Sequence, residues 1–161
     1  YEERGSIEGK TVAWIGDGCN MCNSYINAAK ILNFKLKIAT PSGFEPDHKT
    51  LMLAKDNVEL CDLPGQAVED SDLVTTDVWT SMGDESESEK RKQLFKGYQI
   101  NQNLFDKAKS DAIFLHCLPA HRGEEVDSDV IDGPRSRVWQ QAHNRLFTSK
   151  ALIEFLLNES K

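Results

Sequence analysis

The sequence predicts an α/β domain in which a doubly wound, five-stranded parallel sheet of Rossmann-like type carries helices on both faces. Short apolar runs that end at turn residues alternate along the chain with stretches whose apolar residues recur at helical spacing. This alternation is typical of βαβ units with right-handed crossovers. Ligands of such sheets bind beyond the carboxyl ends of the strands, so the loops after strands one, four and five should meet there if the strand order is 3-2-1-4-5.

Each predicted strand is short, apolar and closed by a turn signal. The first, at 11–15 (TVAWI), stops at the sequence GDG, and the second, at 36–39 (LKIA), stops at TPSG. The third lies at 58–61, and the fourth, at 73–76 (LVTT), ends directly at an aspartate. The fifth lies at 112–116 (AIFLH) and leads into a long loop.

The predicted helices fill the segments between the strands, with apolar residues at three- and four-residue spacing. They span about 21–33, 47–56, 65–69, 87–96, 101–109 and 138–157, the last being long and amphipathic. Asp47 is a suitable N-cap for the second helix. Residues 118–135 are expected to be mostly loop, and residues 1–161 to form a single domain.

Composition and charge disfavour several classes of function. Among 161 residues, 39% are hydrophobic and 28% charged, which permits a packed core. The net charge of −7, without a dense lysine or arginine cluster, disfavours nucleic-acid binding. No apolar run is long enough to span a membrane, and no secretory signal is visible. The four cysteines are therefore interpreted as reduced thiols of a cytoplasmic protein.

The loop after the first strand, at 16–21, reads GDGCNM. It begins like a dinucleotide-binding fingerprint but lacks the third glycine, so NAD binding is disfavoured and no cofactor is expected. The glycines are explained by a tight strand-to-helix turn. Asn20 adds an amide at a helix N-terminus, a position that suits an anionic group.

Cys19 and Cys22 form a C-x-x-C pair at the same junction, which raises the alternative of a thiol redox protein. A zinc site is disfavoured, because no second cysteine or histidine pair supplies the remaining ligands. Packing of two small thiols at the helix start is the favoured interpretation, and no metal is expected.

Two further loops carry candidate site residues. Asp77 lies at the end of the fourth strand, where a carboxylate can hold an ammonium group, while Ser81 and the backbone beyond it can donate to a carboxylate. An aspartate that merely caps a turn explains this segment equally well. Cys117 leaves the fifth strand toward the same cleft, whereas strand alternation directs His116 to the opposite side, where a structural role is expected.

Taken together, GDG-C-N at 16–20, DVWTSMG at 77–83 and HCLPAHRGEEV at 116–126 resemble the ornithine carbamoyltransferase family in order and spacing. The resemblance covers essentially the whole chain, including ATPSGFEPD at 39–47 and the segment NRLFTSKALIEFLL near the end. Aspartate carbamoyltransferases share the fold but lack the SMG loop, so ornithine is the favoured substrate.

The resemblance implies that carbamoyl phosphate and L-ornithine give L-citrulline and phosphate, by attack of the uncharged δ-amine on the carbamoyl carbon. For ornithine, it implies that Asn20 lies on the α-carboxylate side, that Asp77 holds the α-ammonium group, and that Ser81 and Met82 close over the substrate.

For the carbamoyl group, the resemblance implies a catalytic Cys117 that accepts a proton or orients the amine, with Leu118 beside it. It also implies that Arg145, on the last helix, reaches the carbamoyl phosphate. Residues alone would identify Arg145 only as an ordinary solvated helix residue. The two reactants, held in line, need no metal or cofactor.

The chain departs from the family pattern in two ways. Cys19 stands where the family usually has asparagine, which is expected to alter loop support rather than recognition. The Ser-Thr-Arg-Thr phosphate loop and the His-Pro-x-Gln motif of the family's amino-terminal domain do not occur. The chain therefore resembles the C-terminal, ornithine-binding domain without the N-terminal carbamoyl-phosphate domain.

Several expectations follow for the partners. The isolated domain should be inactive or nearly so, and the parent enzyme should be a homotrimer or a multiple of one. The rival hypothesis is a non-catalytic amino-acid-binding module that retains the pocket.

Overall fold

The computed structural model describes residues 2–80 and 88–159. Its sheet contains the strands β1 (Thr11–Ile15), β2 (Lys35–Ala39), β3 (Val58–Leu60), β4 (Leu73–Thr76) and β5 (Ile113–His116). The spatial order is β3-β2-β1-β4-β5, and every neighbouring pair is parallel. The predicted doubly wound sheet and its strand order are confirmed.

Helices connect and flank the strands. They are α1 (Asn20–Leu32), α2 (His48–Leu53), α3 (Pro64–Val68), α4 (Ser88–Phe95), α5 (Gln102–Phe105), α6 (Ser128–Ile131) and α7 (Val138–Glu159), with a 3₁₀ turn at Lys96–Tyr98. Asp47 caps α2 as predicted, because its carboxylate accepts a hydrogen bond of 2.8 Å from the Thr50 amide.

The core lies on both faces of the sheet, because side chains alternate along each strand. Val12 and Trp14 of β1 point to one face, where they pack with apolar residues of α1 such as Ile26. Ala13 and Ile15 point to the other face, where they pack with buried residues of α3, α5 and α6. Both faces are therefore covered, as expected for a doubly wound sheet.

Helix α5 is shorter than the predicted 101–109, and long-range hydrogen bonds explain the difference. The Asn101 side chain caps the helix through the Leu104 amide at 2.9 Å, as a helix start requires. Beyond the helix, the Lys107 carbonyl accepts from the Asp70 amide at 3.2 Å, and the Lys109 amide donates to the Ser71 carbonyl at 3.1 Å. The segment is thus bonded to the chain that leads into β4 rather than to a further helical turn.

Helix α6 lies within the segment predicted to be mostly loop. It buries Val130 and Ile131, which are each 1% exposed, against the core on the α3 side. The apolar pair is too short to show helical periodicity in the sequence, so the helix depends on its tertiary contacts.

Helix α7 has nearly the predicted bounds, but only its first residue, Val138, is buried in the domain. Apolar side chains along its second half are more than half exposed, including Leu152 and Phe155. None of the helices formed by residues 2–80 and 88–159 has both the length and the apolar character that crossing a membrane requires.

Two glycines shape the turn from β1 into α1. Gly16 has a φ of +125°, which residues with a side chain rarely adopt. Gly18 lies against the backbone of the segment after β2: its amide donates to the Phe44 carbonyl at 2.8 Å, and an added Cβ would lie 2.3 Å from the Pro46 nitrogen. The prediction that backbone geometry requires these glycines is confirmed.

We predict that Gly18→Ala lowers the free energy of unfolding by about 1–3 kcal/mol, because the added methyl group collides with backbone that cannot move without breaking the turn. Urea denaturation would measure the change. Gly97→Ala is the matched control, since an added Cβ there meets no atom within 4 Å and φ is not positive. Equal stability of the two variants would contradict this account of the turn.

Candidate functional site

The carboxylate of Asp77 is the centre of the candidate site. The Cys117 thiol donates to its Oδ1 at 3.0 Å, and the Cys19 thiol donates to its Oδ2 at 3.7 Å. The Val78 amide also donates to Oδ1, at 2.8 Å. Among the described residues, no lysine or arginine forms an ion pair with Asp77, so its charge meets only neutral donors.

The strand order brings these groups together. β4 lies between β1 and β5, with Thr75 opposite Trp14 on one side and Thr76 opposite His116 on the other. The Thr76 hydroxyl further ties the strand ends by donating to the Ile15 carbonyl at 2.5 Å. The loops after the first, fourth and fifth strands therefore meet at one rim, as the sequence predicts.

Both thiols beside Asp77 hold their protons at neutral pH. Burial, the hydrogen bond to Asp77 and the negative charge of that residue together raise the pKa of the Cys117 thiol to about 12, with burial the largest cause. Burial also raises the pKa of Cys19, although the Cys22 and Met21 amides act in the opposite direction. Each thiol is therefore a hydrogen-bond donor to the carboxylate rather than a thiolate.

The cysteine pair at the start of α1 does not have the properties of a redox site. Cys22 is completely buried, and burial raises its pKa far above the usual range. A nucleophilic redox thiol needs an accessible sulfur and a lowered pKa, whereas the pKa of Cys19 is raised. The structure thus favours the interpretation that these thiols pack at the helix start.

A buried network supports the loop that carries Cys117. His116 Nδ1 accepts from the Leu118 amide at 2.9 Å, and Nε2 faces Glu125 Oε1 at 3.2 Å. The same Glu125 oxygen accepts from the His121 amide at 2.6 Å. The hydrogen bond accepted by Nδ1 holds the imidazole against the backbone of the loop.

His116 is buried, as a structural role requires, but the expectation that it points away from Cys117 is wrong. A ring nitrogen of His116 lies within 4.8 Å of the Cys117 sulfur, because β5 ends at His116 and strand alternation does not extend to Cys117. Glu125 was missed because only the fold reveals its partners.

Asn20 is the first residue of α1, and its side chain is exposed beside this cluster. It directly follows Cys19, whose side chain does not cap the helix. The start of α1 thus lies at the rim, where the helix dipole favours an anion. The role of Asn20 stays a prediction.

Ser81 and Met82 lie outside the described residues, so their predicted roles are not addressed. Arg145 lies on α7 and lines a groove of about 430 Å³ between that helix and one face of the sheet. Other lining residues include Leu115 and Gln141. The described contacts of Asp77 and Cys117 do not include Arg145, and its role toward carbamoyl phosphate stays a prediction.

Two groups of side chains could in principle hold a metal ion. Ligand atoms of Asp77, His116 and Cys117 lie within 4.8 Å of one another, but the imidazole and thiol are engaged in the hydrogen bonds described above. The second group, His121, Glu124 and Glu125, is also engaged, since Lys92 pairs with Glu124 at 3.0 Å. Hydrogen bonds and an ion pair therefore already engage members of both groups.

A second carboxylate of the same rim, Asp17, forms a half-buried ion pair with Arg91 of α4. The Arg91 Nε also donates to the Trp79 carbonyl at 2.5 Å. The guanidinium carbon lies 4.7 Å from the centroid of the Phe44 ring and 5.3 Å from that of Phe95. Sequence reasoning missed this pair, because Arg91 is one charge in a run of charged residues.

Comparison with known proteins identifies the family to which this fold belongs. The family model described as "Aspartate/ornithine carbamoyltransferase, Asp/Orn binding domain" matches residues 8–156. The α/β sheet with its site at the carboxyl rim is thus of the class of amino-acid-binding carbamoyltransferase domains. The chain belongs to the aspartate/ornithine carbamoyltransferase family.

Curated relatives carry the ornithine name. The chain is 57% identical over 157 residues to the ornithine carbamoyltransferase of Nitrosococcus oceani, covering 98% of this chain and 52% of the relative. It is 52% identical to the anabolic ornithine carbamoyltransferase of Pseudomonas aeruginosa, covering 99% of this chain and 52% of the relative. The chain thus spans about half the length of the curated relatives it matches.

Solved structures agree with the fold. The ornithine carbamoyltransferase of Burkholderia thailandensis aligns with a TM-score of 0.88 at 48% identity, covering 98% of this chain and 50% of that one. The enzyme of Pyrococcus furiosus aligns with a TM-score of 0.89 at 46% identity, covering 94% and 51%. The recognition of the family from its three loops is confirmed.

We predict that alkylation of Cys117 by iodoacetamide still accelerates about tenfold per pH unit between pH 9 and 10.5, because only the thiolate reacts and its pKa is about 12. Peptide mapping by mass spectrometry would follow the site. In Asp77→Asn the pH dependence should move to lower pH, since one cause of the raised pKa is removed. The same cysteine in the urea-unfolded chain is the control, and its rate should level off above its ordinary pKa of 9.0.

A rate for native Cys117 that levels off at the same pH as in the unfolded chain would contradict the proposed state of the thiol.

Proposed function

We propose that this chain is the ornithine-binding half of an ornithine carbamoyltransferase, which forms L-citrulline and phosphate from L-ornithine and carbamoyl phosphate. The observation that carries the proposal is the Asp77 carboxylate, held at the rim by two protonated thiols and one amide. The family match and the names of the relatives support the substrate and the reaction.

Asp77 is suited to bind the α-ammonium group of the substrate. Its charge has no cationic partner among the described residues, and neutral thiols are weak donors that a stronger donor can displace. An ammonium group brings the compensating charge and three N–H donors. The exposed amide of Asn20 and the first turn of α1 lie one loop away, where an α-carboxylate would meet the positive end of the helix dipole.

Cys117 is proposed as the residue that orients the attacking amine. A thiol with a pKa of about 12 is protonated at neutral pH, so it does not begin as a base. An ammonium ion bound at Asp77 offsets the negative charge that contributes to this raised pKa, which brings the thiol closer to proton exchange when substrate is present. The His116–Glu125 network fixes the backbone of Leu118 and therefore the direction of the neighbouring thiol.

A second domain is proposed to cover helix α7. Exposed apolar surface marks interaction sites, and α7 exposes many large apolar side chains from Leu146 onward. Its exposed apolar residues include Leu146, Phe147, Leu152, Ile153, Phe155 and Leu157. The remaining half of the relatives' length provides a domain of suitable size, and we propose that it supplies the carbamoyl-phosphate groups that complete the site around Arg145.

The assembled enzyme is proposed to be a homotrimer or a multiple of one, as the family resemblance implies. A cytoplasmic location is proposed because the four cysteines are free thiols, which agrees with a reducing compartment.

We predict that the chain binds L-ornithine and that Asp77→Asn weakens binding roughly 10- to 100-fold, since a charge-assisted hydrogen bond contributes about 1.5–3 kcal/mol. Titration with L-ornithine, followed by amide chemical shifts at Asn20 and Asp77, would give the dissociation constant. Asp132→Asn is the control, because this exposed carboxylate pairs with Arg122 and is not among the described contacts of Asp77. Unaltered ornithine binding by folded Asp77→Asn would contradict the assignment of the ammonium site.

We predict that the chain alone, mixed with both substrates, forms no citrulline above background, because the phosphate-binding groups are supplied by the other domain. Addition of the amino-terminal half of the Nitrosococcus oceani relative should restore turnover, and Cys117→Ser should lower that turnover. Colorimetric assay of citrulline would measure both. Substantial turnover by the chain alone would refute the division of labour, and a complemented chain that binds ornithine but never turns over would favour a non-catalytic binding module.

A further inference from the structure

We propose that the Asp17–Arg91 ion pair is a positioning pair that holds the rim loops in the geometry needed to bind the amino acid. The inference rests on the proposed function, because it assigns a task to residues that do not themselves touch the ammonium site. Arg91 and Asp17 are absent from the contacts of Asp77, yet they connect the segments that carry the predicted ligands.

One guanidinium group reaches the loops that follow three strands. It pairs with the Asp17 carboxylate after β1, lies 4.7 Å from the Phe44 ring centroid after β2, and donates to the Trp79 carbonyl after β4 at 2.5 Å. Phe95, one turn further along α4, packs edge-on against Phe44 with centroids 4.8 Å apart. Arg91 thereby fixes the separation of segments that are distant in the sequence.

The Asp17–Arg91 ion pair is mostly shielded from water, so each charge is stabilised chiefly by the other. The side chains of Arg91 and Asp17 are only 17% and 18% exposed. Burial raises the pKa of Asp17 even though Arg91 acts to lower it, which indicates that the carboxylate loses much of its hydration in the fold. Removing either partner therefore leaves a poorly hydrated charge, and the loop that bears it is expected to move toward water.

The fork of the guanidinium group is needed as well as its charge. Arg91 uses Nη2 for Asp17 and Nε for the Trp79 carbonyl, so two loops share one planar group. A lysine at this position keeps the charge but offers a single nitrogen at the end of a flexible chain. Arg91→Lys is therefore expected to preserve the ion pair partly and to lose the tie to Trp79.

The residues held by Arg91 lie close in sequence to the residues that are proposed to bind the amino acid. Asp17 lies three residues before Asn20, and Trp79 lies two residues after Asp77. The ion pair thus bridges the gap between the loops after β1 and β4, which carry the residues proposed to meet the carboxylate and ammonium groups of an α-amino acid. A shift of about 1 Å in this gap is enough to weaken the alignment of a bound reactant substantially.

The test compares Asp17→Asn, Arg91→Gln and Arg91→Lys with the unaltered chain and with Arg122→Gln. Arg122 is a matched control, because it also forms an arginine–aspartate pair, with Asp132, but with both side chains more than 40% exposed. Ornithine affinity is measured by amide chemical shifts, and thermal unfolding reports global stability. Hydrogen exchange of the Gly18 amide, which donates to the Phe44 carbonyl at 2.8 Å, reports the loop geometry without any ligand.

We expect Asp17→Asn and Arg91→Gln each to weaken ornithine binding at least tenfold and to speed exchange at Gly18 at least tenfold, while exchange within β1 is unchanged. Arg91→Lys should recover part of the affinity, and Arg122→Gln should match the unaltered chain. The double variant Asp17→Asn/Arg91→Gln should be no weaker than the poorer single variant, because both substitutions break one interaction.

Folded variants that bind ornithine with unchanged affinity would overturn the inference, even if their unfolding temperature falls, since that pattern describes a merely structural pair. If the unaltered chain itself fails to bind ornithine, the proposed function fails, and Gly18 exchange decides the inference separately. Unchanged Gly18 exchange in Asp17→Asn and Arg91→Gln would then overturn it, and faster exchange confined to the rim would support it.

Discussion

The parallel pairing of β4 with β1 on one side and with β5 on the other is the constraint on which the site depends. Since all strands run in the same direction, the three carboxyl ends open onto one rim, and a residue that follows β4 lies between the other two loops. Asp77 occupies this middle position. Its contacts with Cys19 and Cys117 follow from the strand order, because those thiols end and begin the flanking loops.

The rim contains two carboxylates that differ in their partners: one pairs with a cation, and the other accepts hydrogen bonds from neutral groups. Asp17 has a cation of its own in Arg91, so its charge is neutralised within the fold. Within residues 2–80 and 88–159, Asp77 accepts hydrogen bonds from one amide and from two thiols that keep their protons. A site for an ammonium group needs a carboxylate of the second kind, since a carboxylate that is already paired gains little from a second cation.

Features of this fold that have a local sequence signal could be predicted, whereas features fixed by tertiary contacts could not. Strand positions and order were predictable because an apolar period and turn residues are local signals. The position of Asp77 at the end of β4 was predictable from a similarly local signal, because Asp77 directly follows an apolar run. The partners of Arg91 and Glu125 could not be predicted. Tertiary contacts bring together segments that lie far apart in the sequence, and these contacts determine which partner a charged residue has. The short helices α5 and α6 were mispredicted for a related reason: long-range hydrogen bonds or burial, rather than periodicity, determine them.

The domain has a packed body and a long helix, α7, that is largely exposed. The sheet is packed on both faces, and the Asp77–Cys117 contact lies wholly within that packed body. Helix α7 is different, because beyond Val138 its described residues are partly or largely exposed. The proposed ammonium site is therefore formed by residues of this domain, whereas the proposed role of Arg145 requires a second surface against α7. Affinity for the amino acid and turnover are thus physically separable properties. In the proposed function, affinity depends on the packed body that carries Asp77, whereas turnover also depends on the surface that covers α7.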